Sequence, residues 1–347
     1  MNQLKRVTRR RFLRLTSGVA AGFGVAAGLA MGGCLPPNSP VRSEPRLVTT
    51  LGPLALPQSG VILPHEHIFV DLRPPSEPEQ GQAEVEDVLT LMQPELVKAR
   101  NAGVTVLVDA APPGVGRRAD IVAAVSRAAE LPILVPTGLY RDAWIPLWAR
   151  EADEAELRDW MIRELTGESE DTGVQAGWIK LGGSDGGLTE QERKALRAAA
   201  GAGAATGAVI GSHIVRGSVA REAIAVIEQA GYRPDRFVWI HADQERDPTL
   251  HEELARRGAY IEFDSIGSGR DAAHITMIQR LLDTGFGSHL LLSMDRGWYD
   301  PAQPGGGVPQ PFTYLTETFL PKLREAGADD ATITQLTREN PFRAFAR

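Results

Sequence analysis

Short apolar runs in this chain end in histidine, lysine or aspartate, and this arrangement limits the possible fold more than any other feature. The polar residues that close or follow these runs are His65, His67, Lys180, His213, His241 and Asp295. Each run has the length and composition of a buried strand, and helical patterns lie between the runs. This alternation of strand and helix predicts a parallel α/β sheet.

Five apolar runs carry the residues named above, because His65 and His67 share one run. Further strand-like runs at residues 104–109, 133–136 and 259–263 bring the number of predicted strands to eight. Eight strand–helix units in roughly 250 to 300 residues predict a (β/α)8 TIM barrel, in which catalytic groups lie at the C-terminal ends of the strands. The polar residues named above occupy these positions. We therefore expect an α/β fold in which one closed barrel carries the functional site at one end.

Residues 1–33 predict an export signal in front of the barrel. They carry six cationic residues and no acidic residue, and an apolar Gly- and Ala-rich stretch follows at residues 15–31. Residues 8–14, Thr-Arg-Arg-Arg-Phe-Leu-Arg, resemble the twin-arginine export motif. This interpretation predicts a periplasmic or outer-surface protein. The alternative for the apolar stretch is an uncleaved membrane anchor.

Cys34 follows Met-Gly-Gly in a sequence that resembles a lipobox, where the cysteine is acylated and becomes the new N-terminus. The alternative is a free thiol. Residues 34–46 are rich in proline and predict a flexible tether, so that the barrel spans residues 47–347. Cys34 is the only cysteine, which excludes a disulfide framework and a thiolate metal site. Membrane contact is expected only through the lipid on Cys34.

The charge distribution argues against a nucleic-acid partner. The chain has a formal net charge of −7, and without the six cations of the signal the remainder carries −13. An acidic surface without a basic stripe does not attract a phosphate backbone. We therefore expect a small-molecule substrate.

His65 and His67 are separated by one residue in a predicted strand, so their side chains share one face while Glu66 points to the other. Two imidazoles in this arrangement can bind one metal ion. His213 and His241 follow apolar runs in successive strand–helix units. A single histidine at such a position is usually a structural residue, but this pair, after a His-x-His motif, favours a metal site.

Asp295 and Lys180 complete the set of polar residues. Asp295 follows the last predicted strand, where it either caps the next segment or binds a metal ion and relays the proton of bound water. Lys180 lies among apolar neighbours that favour the neutral amine. A neutral amine can react with carbon dioxide to give a carbamate, which can bridge two ions. The alternative is a lysine whose charged end reaches solvent.

These residues and their flanking sequences resemble the phosphotriesterase family of the amidohydrolase superfamily. The matching segments are residues 50–53 (Thr-Leu-Gly-Pro), 63–71 (Leu-Pro-His-Glu-His-Ile-Phe-Val-Asp), 137–142 (Thr-Gly-Leu-Tyr-Arg-Asp), 179–180 (Ile-Lys) and 339–342 (Glu-Asn-Pro-Phe), together with His213, His241 and Asp295. The resemblance covers roughly residue 47 to the C-terminus. It implies a metal-dependent hydrolase on a (β/α)8 barrel.

The resemblance also implies a centre with two divalent metal ions, most commonly zinc. The implied ligands are His65, His67 and Asp295 for the first ion, His213 and His241 for the second, and carboxylated Lys180 as a bridge. A bridging hydroxide would attack a phosphorus or carbonyl centre. Nitrogen and oxygen ligands without thiolate also fit manganese, cobalt or iron. A homodimer is one further expectation, because members of the family are often dimers.

The sequence says less about the substrate than about the reaction. Tyr140 matches a family position near the bridging hydroxide, where it either touches the substrate or packs at the pocket rim. Residues 296–311 are expected to form a long final loop beside the pocket. Residues 263–267 lack both the arginine common in lactone-hydrolysing relatives and the histidine of well-studied organophosphate hydrolases. Asp243 either orients the imidazole of His241, or nearby water, or simply begins a loop.

The predicted function is therefore a metal-dependent hydrolase that cleaves phosphotriester or related ester bonds, with Asp295 and Lys180 in catalytic roles. One alternative is a lactonase or carboxylesterase with incidental phosphotriesterase activity. Another is a metal-binding lipoprotein without catalysis. The remaining histidines are predicted to be structural or to lie at the surface: His251, His274 and His289. Thr189 and Glu192 predict a capping box at the start of a helix.

Overall fold

The computed structural model describes residues 44–347 of the chain. The predicted export signal, Cys34 and most of the predicted tether lie outside the described residues. In the described part of the chain, no helix has the length and apolar character that would let it span a membrane.

Twelve strands are present in residues 44–347, and most of them form a closed parallel barrel. The strands are β1 Leu47–Thr49, β2 Gly52–Leu54, β3 Val61–Phe69, β4 Val104–Asp109, β5 Ile133–Leu134, β6 Pro136–Leu139, β7 Trp178–Gly182, β8 Ile210–His213, β9 Phe237–Ile240, β10 Tyr260–Phe263, β11 Leu290–Leu292 and β12 Gly297–Tyr299. The first two form an antiparallel hairpin that precedes the barrel.

The barrel strands follow one another in chain order. Strands β6 to β11 pair in parallel in sequence, as do β3, β4 and β5. β5 and β6 are two parts of one barrel strand, so the strand predicted at residues 133–136 is interrupted at Val135. Pro136 has no amide hydrogen to donate to a neighbouring strand. The residues before the interruption (β5) pair with β4, and those after it (β6) pair with β7. Counting this interrupted strand once, residues 61–292 supply eight barrel strands, and the predicted (β/α)8 fold is confirmed.

The first and last barrel strands meet without a regular ladder. β3 is nine residues long, and its last residues pair with β12 instead of β11. At the seam, the amide of Asp295 donates to the carbonyl of His65 at 3.2 Å. β12 lies inside residues 296–311, so this segment is not entirely the loop that the sequence predicted. Its strand depends on pairing with a strand more than two hundred residues away, which no local pattern indicates.

Helices cover the outside of the barrel and connect its strands. They are α1 Val85–Asn101, α2 Ala119–Ala129, α3 Leu147–Glu151, α4 Glu154–Thr166, α5 Glu190–Thr206, α6 Gly217–Gln229, α7 Pro248–Arg256, α8 Asp271–Asp283, α9 Leu320–Glu325, α10 Asp330–Thr334 and α11 Asn340–Phe345. The predicted capping box at α5 is confirmed, because Thr189 accepts a hydrogen bond from the amide of Glu192 and the Glu192 side chain accepts one from the amide of Thr189.

The C-terminal residues close the end of the barrel where the strands begin. Arg46 and Arg347 exchange two backbone hydrogen bonds, each of 3.0 Å. Phe345 is buried and packs edge-on against Trp178, the first residue of β7, with ring centroids 5.3 Å apart. Apolar side chains therefore fill this end of the barrel, and the polar residues gather at the other.

Candidate metal centre

The structure brings the predicted polar residues together at the C-terminal end of the barrel. His65 and His67 lie in β3, Lys180 lies in β7, His213 ends β8, and His241 and Asp295 follow β9 and β11. Parallel barrel strands all end at the same face, so residues far apart in the sequence meet there. His213 and Asp295 are partly exposed, and the other members of the set are buried.

The set forms two adjacent groups. Nε2 of His67 lies 3.0 Å from Oδ1 of Asp295, and Nε2 of His65 lies 3.8 Å from the same oxygen. In the second group, the rings of His213 and His241 pack edge to face with centroids 4.3 Å apart. The groups touch where the ring of His241 lies 5.2 Å from that of His65.

Two members of the set have a left-handed backbone. The φ angle is 64° at His241 and 54° at Asp295. Non-glycine residues are disfavoured in this region, and such conformations often occur at functional sites. His241 directly follows β9, and Asp295 lies three residues after the end of β11, so both residues stand where the chain leaves a barrel strand at the mouth of the barrel.

Buried carboxylates at the end of β10 orient two of the histidines. Nδ1 of His65 lies 2.8 Å from Oε1 of Glu262, and Nδ1 of His241 lies 2.7 Å from Oδ1 of Asp264. A carboxylate at Nδ1 fixes the tautomer of the ring and leaves Nε2 free to face the centre. Asp264 therefore orients His241, so that, of the alternatives that the sequence left open for Asp243, orientation of this imidazole is wrong.

Glu262 and Asp264 were not singled out from the sequence, although their spacing carries a signal. They are separated by one residue at the end of a strand, so both side chains lie on the same face. Carboxylates buried at that spacing require hydrogen-bond or cationic partners. The sequence does not identify those partners, because they come from β3 and from the residue after β9.

Burial sets the protonation of the histidines. Burial and the charge of Lys180 hold the pKa of His65 well below its ordinary value. Burial and the neighbouring His241 have the same effect on the pKa of His213. Burial also acts to lower the pKa of His241, but the charge of Asp264 outweighs it, and that pKa is raised. The neutral imidazoles of His65 and His213 offer lone pairs to a metal ion.

Asp295 and Lys180 respond to burial in different ways. Burial acts to raise the pKa of Asp295, but its contact with His67 and the other nearby imidazoles hold that pKa below its usual range. Burial lowers the pKa of Lys180 to about 8, against the opposing effect of Glu262 and other carboxylates. Nζ of Lys180 lies 3.4 Å from Nε2 of His65. The centre thus contains an ionised carboxylate beside a buried amine.

The residues present suit a bound metal cation. Oδ1 of Asp295 and Nδ1 of His67 are buried atoms without a hydrogen-bond partner among the described residues. His65, His67 and Asp295 each offer one ligand atom, and these atoms lie within 4.8 Å of one another. Imidazole nitrogen and carboxylate oxygen are ligands that zinc and similar ions prefer.

A narrow cavity leads to this centre, and apart from the polar set none of the described residues that line it is charged. Beyond the polar set, it is lined by Val70, Leu72, Ala110, Val115, Tyr140 and Trp298. The indole of Trp298 packs edge-on against His67 at 5.0 Å, and its Nε1 donates to the carbonyl of Asp295 at 3.1 Å. A larger groove lies on the outer surface between α4, α5 and α6, but none of the polar set lines it.

Tyr140 follows β6 and lies in the cavity wall beside the centre. Its Oη lies 3.0 Å from Nδ1 of His213, and the two rings pack edge to face at 5.1 Å. Burial raises the pKa of Tyr140, so the phenol keeps its proton and can donate a hydrogen bond. Contact between Tyr140 and a substrate stays a prediction.

The other histidines lie outside the centre. His251 is buried in α7, and His289 is partly buried before β11. His274 of α8 is fully buried, with Nε2 3.0 Å from Oδ2 of Asp243, which also accepts a hydrogen bond from Ser265. Asp243 therefore connects the segments after β9 and β10 to helix α8, which is a structural role.

Comparison with known proteins identifies the family of this chain. A sequence model of the phosphotriesterase family matches residues 45–345. The phosphotriesterase homology protein of Escherichia coli is 28% identical over 291 residues, which cover 83% of this chain and 98% of that protein. A mutant organophosphorus hydrolase from Deinococcus radiodurans has a TM-score of 0.78 at 30% identity, over 86% of this chain and 97% of that chain.

A second solved structure, a weak promiscuous lactonase template engineered for organophosphate hydrolysis, also has a TM-score of 0.78 at 30% identity, over 86% of this chain and 99% of that chain. The segment that matches the family model contains the complete polar set and nearly all of the described residues. This chain belongs to the phosphotriesterase family.

Proposed function

We propose that this hydrolase uses two divalent metal ions to cleave neutral phosphotriesters or related esters. The observation that carries the proposal is the contrast within one cavity. Its floor gathers imidazoles, a carboxylate and a buried amine, whereas its wall is apolar and uncharged. A wall of this kind favours uncharged ester substituents, and the floor suits ions that act on the ester group.

The polar set supplies separate ligands for two ions. His65, His67 and Asp295 would hold the first ion, and His213 and His241 the second. Zinc fits these nitrogen and oxygen donors best, although manganese, cobalt and iron accept the same ligands.

Lys180 would bridge the two ions as a carbamate. Its neutral amine forms an N–C bond with carbon dioxide and releases a proton, which leaves an anion with two oxygens. The change replaces an amine, which repels metal ions when it is protonated, with an anion that binds them. Burial of Lys180 favours the neutral amine that this reaction needs, and Nζ already lies beside the ring of His65.

When bound, the ions would lower the pKa of a water molecule and polarise the oxygen of the ester. Asp295 remains ionised at neutral pH and would accept the proton of the attacking water. Glu262 and Asp264 keep two imidazoles in a fixed orientation. Tyr140 is placed to donate a hydrogen bond to a substrate oxygen, and the apolar wall excludes bulk water.

The main rival is a lactonase or carboxylesterase with incidental phosphotriesterase activity. The similar structure of an engineered lactonase template supports this alternative, and lactones are also neutral esters. The absence of arginine in residues 263–267 weighs against it. A metal-binding lipoprotein without catalysis is less consistent with a centre that keeps its complete polar set.

Turnover measurements on matched substrates test the proposal. The zinc-loaded protein should hydrolyse a dialkyl aryl phosphate faster than a panel of lactones. The corresponding aryl phosphate monoester should react more slowly, because it brings charge to an apolar wall. Asp295→Asn should lower kcat by about 10² to 10⁴-fold, the usual contribution of a proton-transfer group. Faster turnover of lactones would favour the rival, and no turnover of any ester would favour the binding protein.

We further propose that the protein is exported by the twin-arginine route and held at the membrane by a lipid on Cys34. The supporting observations are the arginine motif, the apolar stretch and the position of Cys34. The active barrel would then lie in the periplasm or at the outer surface. A homodimer remains an expectation from the family.

A further inference from the structure

We propose that Glu66, the residue between the two histidines of β3, is a positioning residue that sets the backbone of Asp295 and thereby the geometry of the first metal site. The inference rests on the proposed function only in taking Asp295 as a metal ligand. Glu66 does not line the cavity and is not itself a ligand.

Glu66 is fully buried on the face of β3 opposite the two histidines. Its carboxyl group reaches across the seam of the barrel to the segment that follows β11. Oε1 accepts hydrogen bonds from Oγ of Ser293 at 2.8 Å and from the amide of Met294 at 3.1 Å. Oε2 accepts a hydrogen bond from the amide of Arg296 at 2.7 Å.

Asp295 stands between the two amides that Glu66 binds. Its φ of 54° places it in a region that non-glycine residues disfavour, so this conformation needs support from its surroundings. Hydrogen bonds to Met294 on one side and Arg296 on the other fix the orientation of both flanking peptide groups. The carboxylate of Asp295 then lies over β3, with Oδ1 at 3.0 Å from Nε2 of His67.

The seam itself does not provide this support. β3 and β11 share no ladder, and the backbone bonds near Asp295 run from its own amide to His65 at 3.2 Å and from the amide of His67 to Arg296 at 2.8 Å. These bonds hold the segment close to β3. They do not involve the amides of Met294 and Arg296, which donate to Glu66 instead. A buried amide without an acceptor would destabilise the folded protein.

β3 thus supplies two proposed metal ligands, His65 and His67, and also Glu66, which places a third. A displacement of β3 relative to β11 would move the histidines and Asp295 together, because Glu66 connects them. Loss of the Glu66 contacts should therefore change metal binding more than it changes the general stability of the barrel.

The test uses Glu66→Gln and Ser293→Ala in the full-length protein. Glutamine keeps the shape of the side chain, but it presents an NH2 group in place of one acceptor oxygen, so one of the bound donors loses its partner. We expect zinc at one of the two sites to bind about 10 to 100-fold more weakly in competition with a chelator, the usual effect of removing a group that orients a ligand. Ser293→Ala should shift the affinity in the same direction by a smaller factor.

Glu164→Gln is the matched control, because Glu164 is a buried carboxylate in α4 that binds Arg117 away from the cavity. It should lower the melting temperature and leave zinc affinity unchanged. In an Asp295→Asn background, Glu66→Gln should weaken zinc binding no further, because its effect passes through Asp295.

Zinc affinity equal to that of the unaltered protein in Glu66→Gln would overturn the inference, as would full additivity with Asp295→Asn. If Glu66→Gln does not fold, unchanged zinc affinity in Ser293→Ala would overturn it instead. Each readout is metal binding, so absence of ester hydrolysis by the unaltered protein would refute the proposed function without deciding the role of Glu66.

Discussion

Lys180 is the residue whose ordinary charge conflicts most with a metal centre. An ammonium group beside His65 would repel a cation and occupy the space of a ligand. Burial lowers the pKa of Lys180 to about 8, so the neutral amine is accessible near neutral pH. This is the reason for the proposal that Lys180 is the precursor of an anionic ligand.

Substitution of Lys180 tests this explanation. Lys180→Ala should lose most of its bound zinc and its activity, because no other group in the cavity floor replaces a bridging anion. A short carboxylic acid such as propionate should restore part of both by occupying the space of the carbamate. Zinc per chain is measured by elemental analysis, with and without propionate.

Lys194→Ala provides the control for this experiment. Nζ of Lys194 donates to backbone carbonyls of residues 149, 150 and 152, away from the cavity, so its loss should leave zinc content unchanged. Full zinc content and activity in Lys180→Ala would remove Lys180 from the mechanism.

At the level of the elements, the ends of the strands were predictable because two signals coincide there. Apolar runs indicate buried strands, and a polar residue that closes such a run stands out. The same signals predict the residues that the structure brings together at the centre. They miss Glu262 and Asp264, because acidic residues after a strand resemble ordinary loop residues until their partners are known.

The elements that escaped prediction depend on tertiary pairing. β12 exists because residues 297–299 pair with the end of β3, and the interruption at Val135 exists because pairing passes from β4 to β7. The proposed role of Glu66 also depends on tertiary contacts that the sequence does not indicate. Its orientation away from the histidines was predicted, but its partners lie in a segment that only barrel closure brings close.

A buried ion pair connects the segment after β4 to helix α4. Arg117 donates two hydrogen bonds to Glu164, at 2.6 and 2.7 Å, and both side chains are almost fully buried. Arg117→Ala would leave the carboxylate of Glu164 buried without its cation. We expect the free energy of unfolding to fall by about 3 to 5 kcal/mol, as measured by urea denaturation.

The adjacent Arg118 offers a matched control for this prediction. It pairs with Asp120 at 2.7 Å near the surface, where an ion pair contributes about 1 kcal/mol or less. Arg118 also donates to the backbone carbonyls of Gly81 and Ala83, so Arg118→Ala should lower the urea midpoint slightly and much less than Arg117→Ala does. An equal decrease in the free energy of unfolding in the two variants would show that burial does not determine the strength of the Arg117–Glu164 ion pair.

On the scale of the whole molecule, the residues of the centre are spread from the first barrel strand, β3, to the segment that follows the last, β11. The metal site therefore forms only when almost the whole chain has folded. A route that exports folded proteins suits such a molecule, because the barrel can acquire its metal ions before it crosses the membrane. Residues 8–14 resemble the motif of such a route, the twin-arginine route proposed above.

Replacement of Arg9 and Arg10 by lysine tests this connection between folding and export. The double substitution keeps the positive charge of the signal but removes the arginine pair, so we expect the precursor to accumulate in the cytoplasm as a folded protein that binds zinc. Cell fractionation with an antibody against the barrel locates the protein. Arg6→Lys, outside the motif, is the control and should be exported normally. Normal export of the double variant would refute the twin-arginine route, and the metal would then have to be acquired after export.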